Sequence, residues 1–419
     1  MTSLATIGVA EGDVVAVRLP PGERWRDVVA TLWTSGATVF PIDHRLPATQ
    51  VAGLLARARP TVVVDEDGRR RVAGGDRADP ELAVIVATSG SGATARLVEL
   101  TRSAVTAAVL ASASGLGAEP ADGWVSALPP AHIGGLLVVL RSVVLGAPLS
   151  FAAAGDPASL APPRGARFTS LVATVLQRAF DAEVDLTGYR AILVGGAAFP
   201  AALAARATAA GVRCVATYGL TESCGGVVYD GVALPGVRVR IGAGAAIELH
   251  SPTLMRGYRD TPAGLPVGIP VGHGPDRIGE ASSIDGDGWL RTGDAGTIDG
   301  DGRLHVAGRL DDVIVTGGEN VWPTDVETAL LEDPAVAEVA VTGAPDATWG
   351  SRVVAVVVPR DRHAPPVLEH LRDVVAARLG RHQAPRALVL VDALPRTAVG
   401  KIARAELRRL PVGGGDAGE

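Results

Sequence analysis

GDVVAVRLPPGERWRDVVATLWTSGATVFPIDHRLPATQVAGLLARARPTVVVD, residues 12–65, decides the fold. It reads as strand, helix, strand, helix, strand: VVAVRLP, the amphipathic WRDVVATLWTSG, ATVFPID, a second helix over 50–59, and PTVVVD. Alternation of this kind predicts a parallel α/β sheet covered by helices. Outward from it, the charged stretch 67–80 reads as a surface connection. ELAVIVATSGSGATARLVELT then gives a buried strand, a Gly/Ser/Thr loop and a second strand-like run. Further strands are expected at RFTSLVAT, YRAILVGGA and VRCVATYG, with an Ala-rich helix over 200–210, all in one large α/β body.

Residues 260–285 are Gly/Pro-rich and aperiodic, as an inserted loop or flexible connection would be. GWLRTGDAGTIDGDGRLHVAGRL follows as short strands joined by Asp-Gly turns. Past Asp311 the pattern restarts with DVIVTGG, a helix over 323–332, the strands AVAEVAVTGAP and RVVAVVVP, a helix over 367–379, and ALVLVDALP. That places a domain boundary near Leu310 and a second domain over 311–411. The tail, 412–419, is expected to be disordered.

With 419 residues, 47% apolar side chains and 20% charged ones, the chain can bury two or three cores. Intrinsic disorder and a disulfide scaffold are excluded. Cys214 and Cys224 lack the spacing of a zinc site, and a reducing cytoplasm fits. The N-terminus lacks the basic and apolar regions of a signal peptide. The apolar run 136–154 is broken by Arg141, Gly146 and Pro148, so it reads as a buried helix leading into a strand rather than a membrane span. A net charge of −6 with scattered basic residues argues against nucleic acid as a partner. Of the 39 basic side chains, Lys401 is the one lysine. A position that keeps lysine where arginine serves everywhere else needs an ammonium in particular.

Four clusters carry chemistry. Thr88, Ser89, Gly90, Ser91 and Arg96 lie in a loop of glycines, hydroxyls and one cation that suits a polyphosphate, although an ordinary Gly-rich turn reads equally well. In Tyr218-Gly219-Leu220-Thr221-Glu222, just after a strand, the carboxylate suits Mg²⁺ on ATP phosphates and the ring suits a base; a capping Thr with a helix-start Glu is the alternative. Asp294 in Thr292-Gly293-Asp294 suits ribose hydroxyls, and Arg309 suits ribose or phosphate; a surface turn is the alternative. Lys401 ends the loop PRTAVGK, from which its ammonium can swing onto a phosphoryl-carboxylate centre.

Taken in order, these motifs resemble the adenylate-forming superfamily of acyl-CoA synthetases, adenylation domains and luciferases. TSGSGATARLVELT, YGLTE, RTGDAG, GRLDDVIVTGGENVWPTDVE, GAPDATWGSRV and PRTAVGKIAR follow the family order over nearly the whole chain. The resemblance implies an α/β fold, with a large N-terminal adenylation domain of mixed sheets over 1–310 and a small mobile α+β domain over 311–411. It implies MgATP and coenzyme A as co-substrates and a two-step reaction through an acyl-AMP. It also implies roles: Glu222 as the Mg²⁺-linked glutamate beside Thr221, Asp294 and Arg309 at the ribose, and Gly195-Gly196-Ala197 against adenine. Asp311 matches the hinge, Lys401 bridges carboxylate and α-phosphate, and Gly317 and Gly318 line the pantetheine path. The phosphate loop departs from the family pattern: Gly92, Ala93 and Ala95 stand for Thr, Gly and Pro, and Arg96 for Lys.

The resemblance implies an acid pocket walled by LPPAHIGGLLVVLRSVVLGAPL, by SLVATVLQR and by residues 195–226; amino-acid-activating members place an acidic residue beside the first of these, where this chain has the run Ala131-His132-Ile133-Gly134-Gly135, so an amino acid is not expected. His132 can gate the pocket, and Gly134 and Gly135 can let a ring approach the backbone. Arg141 interrupts an apolar helix, so a protein carboxylate or an acidic substrate group is expected to pair with it. These segments and YGLTESCGGVVYDGVALPGVRVRI are similar to the o-succinylbenzoate-CoA ligases of menaquinone biosynthesis in high-GC bacteria. Two other readings stand beside that one: an enzyme loading another acid onto CoA or a carrier-protein thiol, and a nucleotide-binding homologue without catalysis.

Overall fold

The valine-rich runs pair as the alternation requires. A computed structural model describes residues 8–88, 95–259, 283–396 and 402–410. The expectations for Ser89, Gly90, Ser91, Lys401, residues 260–282 and the tail lie outside them. In the first sheet Thr38–Pro41, Val14–Val17 and Val62–Asp65 run parallel at the centre, and Leu82–Ala87 joins Thr38–Pro41 in parallel. Leu97–Thr101 adds antiparallel, followed at the edge by Gly257–Tyr258. The opposite edge corrects the reading of 67–80 as a connection: Gly68–Arg71 turns back to pair with Val62–Asp65. Backbone pairing needs no apolar side chain, and arginines blunt a solvent-facing edge.

The second sheet runs Val232–Ala233, Gly225–Tyr229, Cys214–Leu220, Ala191–Val194, Ala166–Leu171, Gly123–Ser126, Leu149–Phe151. Its interior is parallel, and Cys214–Leu220 folds back on Gly225–Tyr229 as a hairpin. Helix Ile133–Leu145 packs against helix Glu23–Thr34 on one side and against this sheet on the other. Leu136 to Leu140 are buried in a core that includes Val15, Trp25, Phe168 and Val227, so both sheets share one apolar interior. The expected buried helix leading into a strand is this helix with Leu149–Phe151. No helix among the described residues is long and apolar enough to cross a membrane.

A third, five-stranded antiparallel sheet holds Arg238–Ile241, Ala246–His250, Ser283–Ile284, Leu290–Ile298 and Leu304–Arg309. The strands expected to be short include one of nine residues, Leu290–Ile298, which pairs with Leu304–Arg309 across an Asp-Gly turn. Beyond it the hairpin Ile314–Thr316/Glu319–Val321, helix Pro323–Leu331, the strands Val336–Asp346, Gly350–Pro359 and Ala387–Leu390, and helix Leu368–Leu379 build a smaller α+β unit. It has its own core, in which Val321, Leu330, Val341, Leu371 and Val375 are fully buried.

Candidate active site

The phosphate-loop segment leaves the first sheet at Thr88 and returns at Arg96. Its mouth is closed twice, because the Thr88 N–H donates to the Arg96 carbonyl at 2.8 Å and the Arg96 N–H donates to Thr88 Oγ1 at 3.0 Å. The Arg96 guanidinium lies 5.2 Å from the centre of the Tyr258 ring.

Tyr218 and Gly219 lie on strand Cys214–Leu220, which runs further than the sequence suggested, and Thr221 and Glu222 form the turn that follows. The alternative of a helix-start Glu is therefore corrected to a hairpin turn. Ser223 Oγ accepts from the Leu220 N–H at 2.9 Å and donates to the Gly225 carbonyl at 2.9 Å, and the Thr221 carbonyl accepts from the Cys224 N–H at 3.0 Å. Such local bonds stabilise a tight turn against helix formation. Gly219 is needed here, since a Cβ would sit 1.9 Å from the Gly225 carbonyl oxygen. Glu222 Oε1 accepts from the Tyr258 hydroxyl at 2.8 Å.

Asp294 is 8% exposed and faces its register partner Arg309, with Nη1 to Oδ1 at 3.3 Å. Its other oxygen accepts from the Tyr218 hydroxyl at 3.0 Å. Burial, with the Asp294 charge beside it, pushes the Tyr218 phenol well above its usual range and keeps it a donor. Arg309 Nη2 lies 3.5 Å from Asp311 Oδ2. An unbroken series of contacts thus runs from Arg96 through Tyr258, Glu222, the turn, Tyr218, Asp294 and Arg309 to Asp311. Next to it Gly195, at the end of Ala191–Val194, packs on Thr217, where a Cβ would lie 2.3 Å from Oγ1. Gly196 has φ +83°, and Ala197 is exposed.

The residues assigned to the acid pocket and the thiol path stand outside that series. His132 opens helix Ile133–Leu145 and is half-buried, as is Gly134. At Gly135 a Cβ would lie 2.4 Å from the Pro129 carbonyl oxygen, so the chain's own backbone uses the space its missing side chain leaves. Arg141 is 4% exposed and, among the described residues, has no carboxylate partner, so of the two expected partners the protein carboxylate is not the one found. Its guanidinium stacks 4.3 Å over Trp124 and donates to Ser112 Oγ at 2.8 Å, while its buried Nε has no acceptor. Gly317 and Gly318, with φ +58° and +86°, turn the first hairpin of the smaller unit, and Gly317 donates to the Trp349 carbonyl at 2.9 Å.

No group of three or more His, Cys, Asp or Glu side chains among the described residues can hold a metal ion. Glu222, with one oxygen free of the Tyr258 bond, instead suits a cation that arrives on phosphates and keeps its waters, as Mg²⁺ does. Sequence reasoning missed Tyr258. Its only signal was Gly-Tyr-Arg at the edge of an aperiodic stretch.

This fold, and the contacts that join Arg96, Glu222, Asp294 and Arg309, are those of a nucleotide-dependent enzyme of the acyl-activating kind. The AMP-binding enzyme family matches residues 75–258, and the AMP-binding enzyme C-terminal domain matches residues 325–401. The chain belongs to that family, the adenylate-forming superfamily. It is 39% identical over 353 residues to a probable 2-succinylbenzoate–CoA ligase of Mycobacterium tuberculosis, covering 82% of this chain and 88% of that one. It is 32% identical to the 2-succinylbenzoate–CoA ligase of Geobacillus kaustophilus, covering 97% and 90%. The structure of o-succinylbenzoate CoA synthetase from Bacillus subtilis with its acyl-adenylate intermediate superposes with a TM-score of 0.82 at 25% identity, covering 98% of this chain and 91% of that one.

Proposed function

We propose that this chain is an ATP-dependent o-succinylbenzoate–CoA ligase that serves menaquinone biosynthesis. The observation that carries the reading is the continuous series of contacts from Arg96 to Asp311, which joins the residues to which phosphate, metal and ribose roles are assigned below. The named relatives support the choice of acid and of coenzyme A as co-substrate, and the acyl-adenylate intermediate of the Bacillus subtilis structure supports ATP as the source of the adenylate.

In the first step a carboxylate oxygen attacks the α-phosphorus of MgATP, forming acyl-AMP and expelling pyrophosphate. Thr88, Ser89, Gly90, Ser91 and Arg96 hold the β- and γ-phosphates, and Glu222 with Thr221 takes the metal that comes with them. Asp294 and Arg309 bind the ribose, Gly195, Gly196 and Ala197 flank the adenine, and Tyr218 with Gly219 completes the ATP-binding set, the ring set against the base. Lys401 neutralises the charge that develops between carboxylate and α-phosphate. The smaller domain, residues 311–411, then turns about Asp311. The CoA thiol, entering beside Gly317 and Gly318, attacks the acyl carbon and AMP leaves. His132 and Gly134 border the acid, and Arg141, whose buried Nε has no acceptor, is assigned to the second carboxylate of the substrate; that free donor supports the assignment. ATP and CoA are cytoplasmic pools, and we place the enzyme there.

The test is pyrophosphate release from MgATP over a panel of carboxylic acids, with and without CoA. CoA-stimulated turnover with o-succinylbenzoate is the expected result; turnover with another acid only would move the enzyme to a different substrate, and silence throughout would favour a non-catalytic nucleotide binder.

A further inference from the structure

The phosphate loop springs from the first sheet and the Glu222 turn from the second, and one side chain joins them. Strand Gly257–Tyr258 pairs antiparallel with Leu97–Thr101, with Tyr258 opposite Val98. Side chains alternate along a strand, so Arg96, two residues before Val98, presents to the same side as Tyr258. The Tyr258 ring lies beside the Arg96 guanidinium, and its hydroxyl donates to Glu222 Oε1 at 2.8 Å. The backbone on either side is fixed as well. The Met255 N–H donates to the Glu222 carbonyl at 2.8 Å and Thr253 Oγ1 donates to the Ser223 carbonyl at 2.9 Å. The Arg256 N–H donates to the Glu99 carbonyl at 2.8 Å and the Arg259 N–H to the Leu97 carbonyl at 2.9 Å. Residues 253–259 are therefore tied on one side to the Glu222 turn and on the other to the strand that leaves the phosphate loop.

We propose that Tyr258 is a positioning residue: it fixes the Glu222 carboxylate for the metal of MgATP and sets its place relative to the Arg96 cation. The proposal rests on the adenylation reading above. A glutamate on a turn has three side-chain torsions to lose, and a hydrogen bond to one oxygen removes much of that freedom before the nucleotide arrives, with the second oxygen left for the cation.

Tyr258→Phe keeps the ring against Arg96 and the strand pairing, and removes only the donor. Calorimetric binding of MgATP, and of ATP in EDTA, is measured for the wild type, Tyr258→Phe, Glu222→Gln and the double variant. Tyr258→Phe is expected to weaken MgATP binding roughly five- to tenfold and to leave metal-free ATP within about twofold, in keeping with one hydrogen bond to a charged group. In the Glu222→Gln background it is expected to cost nothing further. Equal loss of both nucleotide forms, or fully additive losses, would overturn the role of Tyr258. No acid is present in the assay, so an error in the substrate assignment does not touch this result, whereas a wild type that binds no MgATP overturns the adenylation reading and this proposal together.

Discussion

The Tyr218 hydroxyl donates to Asp294 across 3.0 Å, tying the strand before the Glu222 turn to the strand that faces Arg309. The bond leaves Asp294 oriented, with Arg309 on its other oxygen at 3.3 Å. Tyr218→Phe removes a donor to a charged acceptor, a loss of about 1 kcal/mol or more, which is roughly a fivefold change in an equilibrium. The KM for MgATP is expected to rise by about that factor, with kcat and the KM for the acid little changed. Steady-state kinetics with each substrate varied in turn checks this; a rise in the KM for the acid alone would place Tyr218 at a different ligand.

Arg141 separates a structural guanidinium from a substrate-binding one. Arg141→Met keeps the length and the apolar contact with the Trp124 face and removes the charge. With a second substrate carboxylate on the guanidinium, kcat/KM for o-succinylbenzoate is expected to fall about 100-fold, as the loss of a charge-assisted pair does, and that for an aryl acid without the second carboxylate less than about threefold. Equal falls for both acids, together with a lower melting temperature, would leave Arg141 as a packing residue.

What the sequence revealed, and what it hid, follows from range. Residues 12–65 declare their parallel sheet because the signal is local periodicity. Short motifs singled out Asp294, Arg309 and Glu222, and the structure links all three in one series of contacts. Tyr258 was not, because its meaning lies in Val98 and Glu222, which only strand pairing brings near. Gly68–Arg71 was hidden for a related reason: its pairing is made by backbone, and its three arginines read as loop. Arg141 was foreseen as a buried charge, but not that an indole face and a serine hydroxyl would receive it, since neither lies nearby in sequence.

Two glycines of opposite kind test the packing. At Gly219 a Cβ would meet the Gly225 carbonyl oxygen at 1.9 Å, so Gly219→Ala has to open the hairpin beneath the Glu222 turn. It is expected to destabilise the large domain by about 3 kcal/mol. Gly53, exposed in helix Ala48–Ala58, has no atom within 4 Å of such a Cβ, and Gly53→Ala is expected to stabilise by roughly 0.5–1 kcal/mol. Thermal melts of the two variants should move in opposite directions; a neutral Gly219→Ala would contradict the register of this hairpin.

Asp311 gives a pH dependence with a definite sign. Burial, aided by the neighbouring Asp312 charge and opposed by Arg309, raises its carboxyl above the ordinary value. A folded-state pKa above the unfolded one means that the unfolded chain releases this proton first, so the group's contribution to stability falls as the pH climbs from the ordinary carboxylate value through the raised one. Asp311→Asn is therefore expected to melt higher than the wild type at neutral pH, with the difference vanishing in acid where both are uncharged. Melting curves between pH 4 and pH 8 (roughly the span over which a raised carboxyl titrates) check it, and a difference that grows in acid would reverse the sign.

Lys401 is the sole lysine of the chain, and its proposed role makes the two half-reactions separable. In the first, negative charge accumulates between the attacking carboxylate and the α-phosphate, and a single ammonium aimed there lowers the barrier. Its loss is expected to cost about 100- to 1,000-fold, the scale seen when one preorganised donor is removed. In the second, on the same proposal, the smaller domain turns and carries the lysine out of the site before the thiol attacks the acyl carbon. Lys401→Ala should therefore all but abolish pyrophosphate release from MgATP and acid, yet convert supplied acyl-AMP and CoA to thioester within a few-fold of the wild-type rate. Lys401→Arg sharpens the test: its charge is kept but spread over a planar fork that a site shaped for a compact ammonium does not accommodate, so adenylation should stay impaired. Unchanged pyrophosphate release in Lys401→Ala, or equal damage to both half-reactions, would remove Lys401 from the adenylation step.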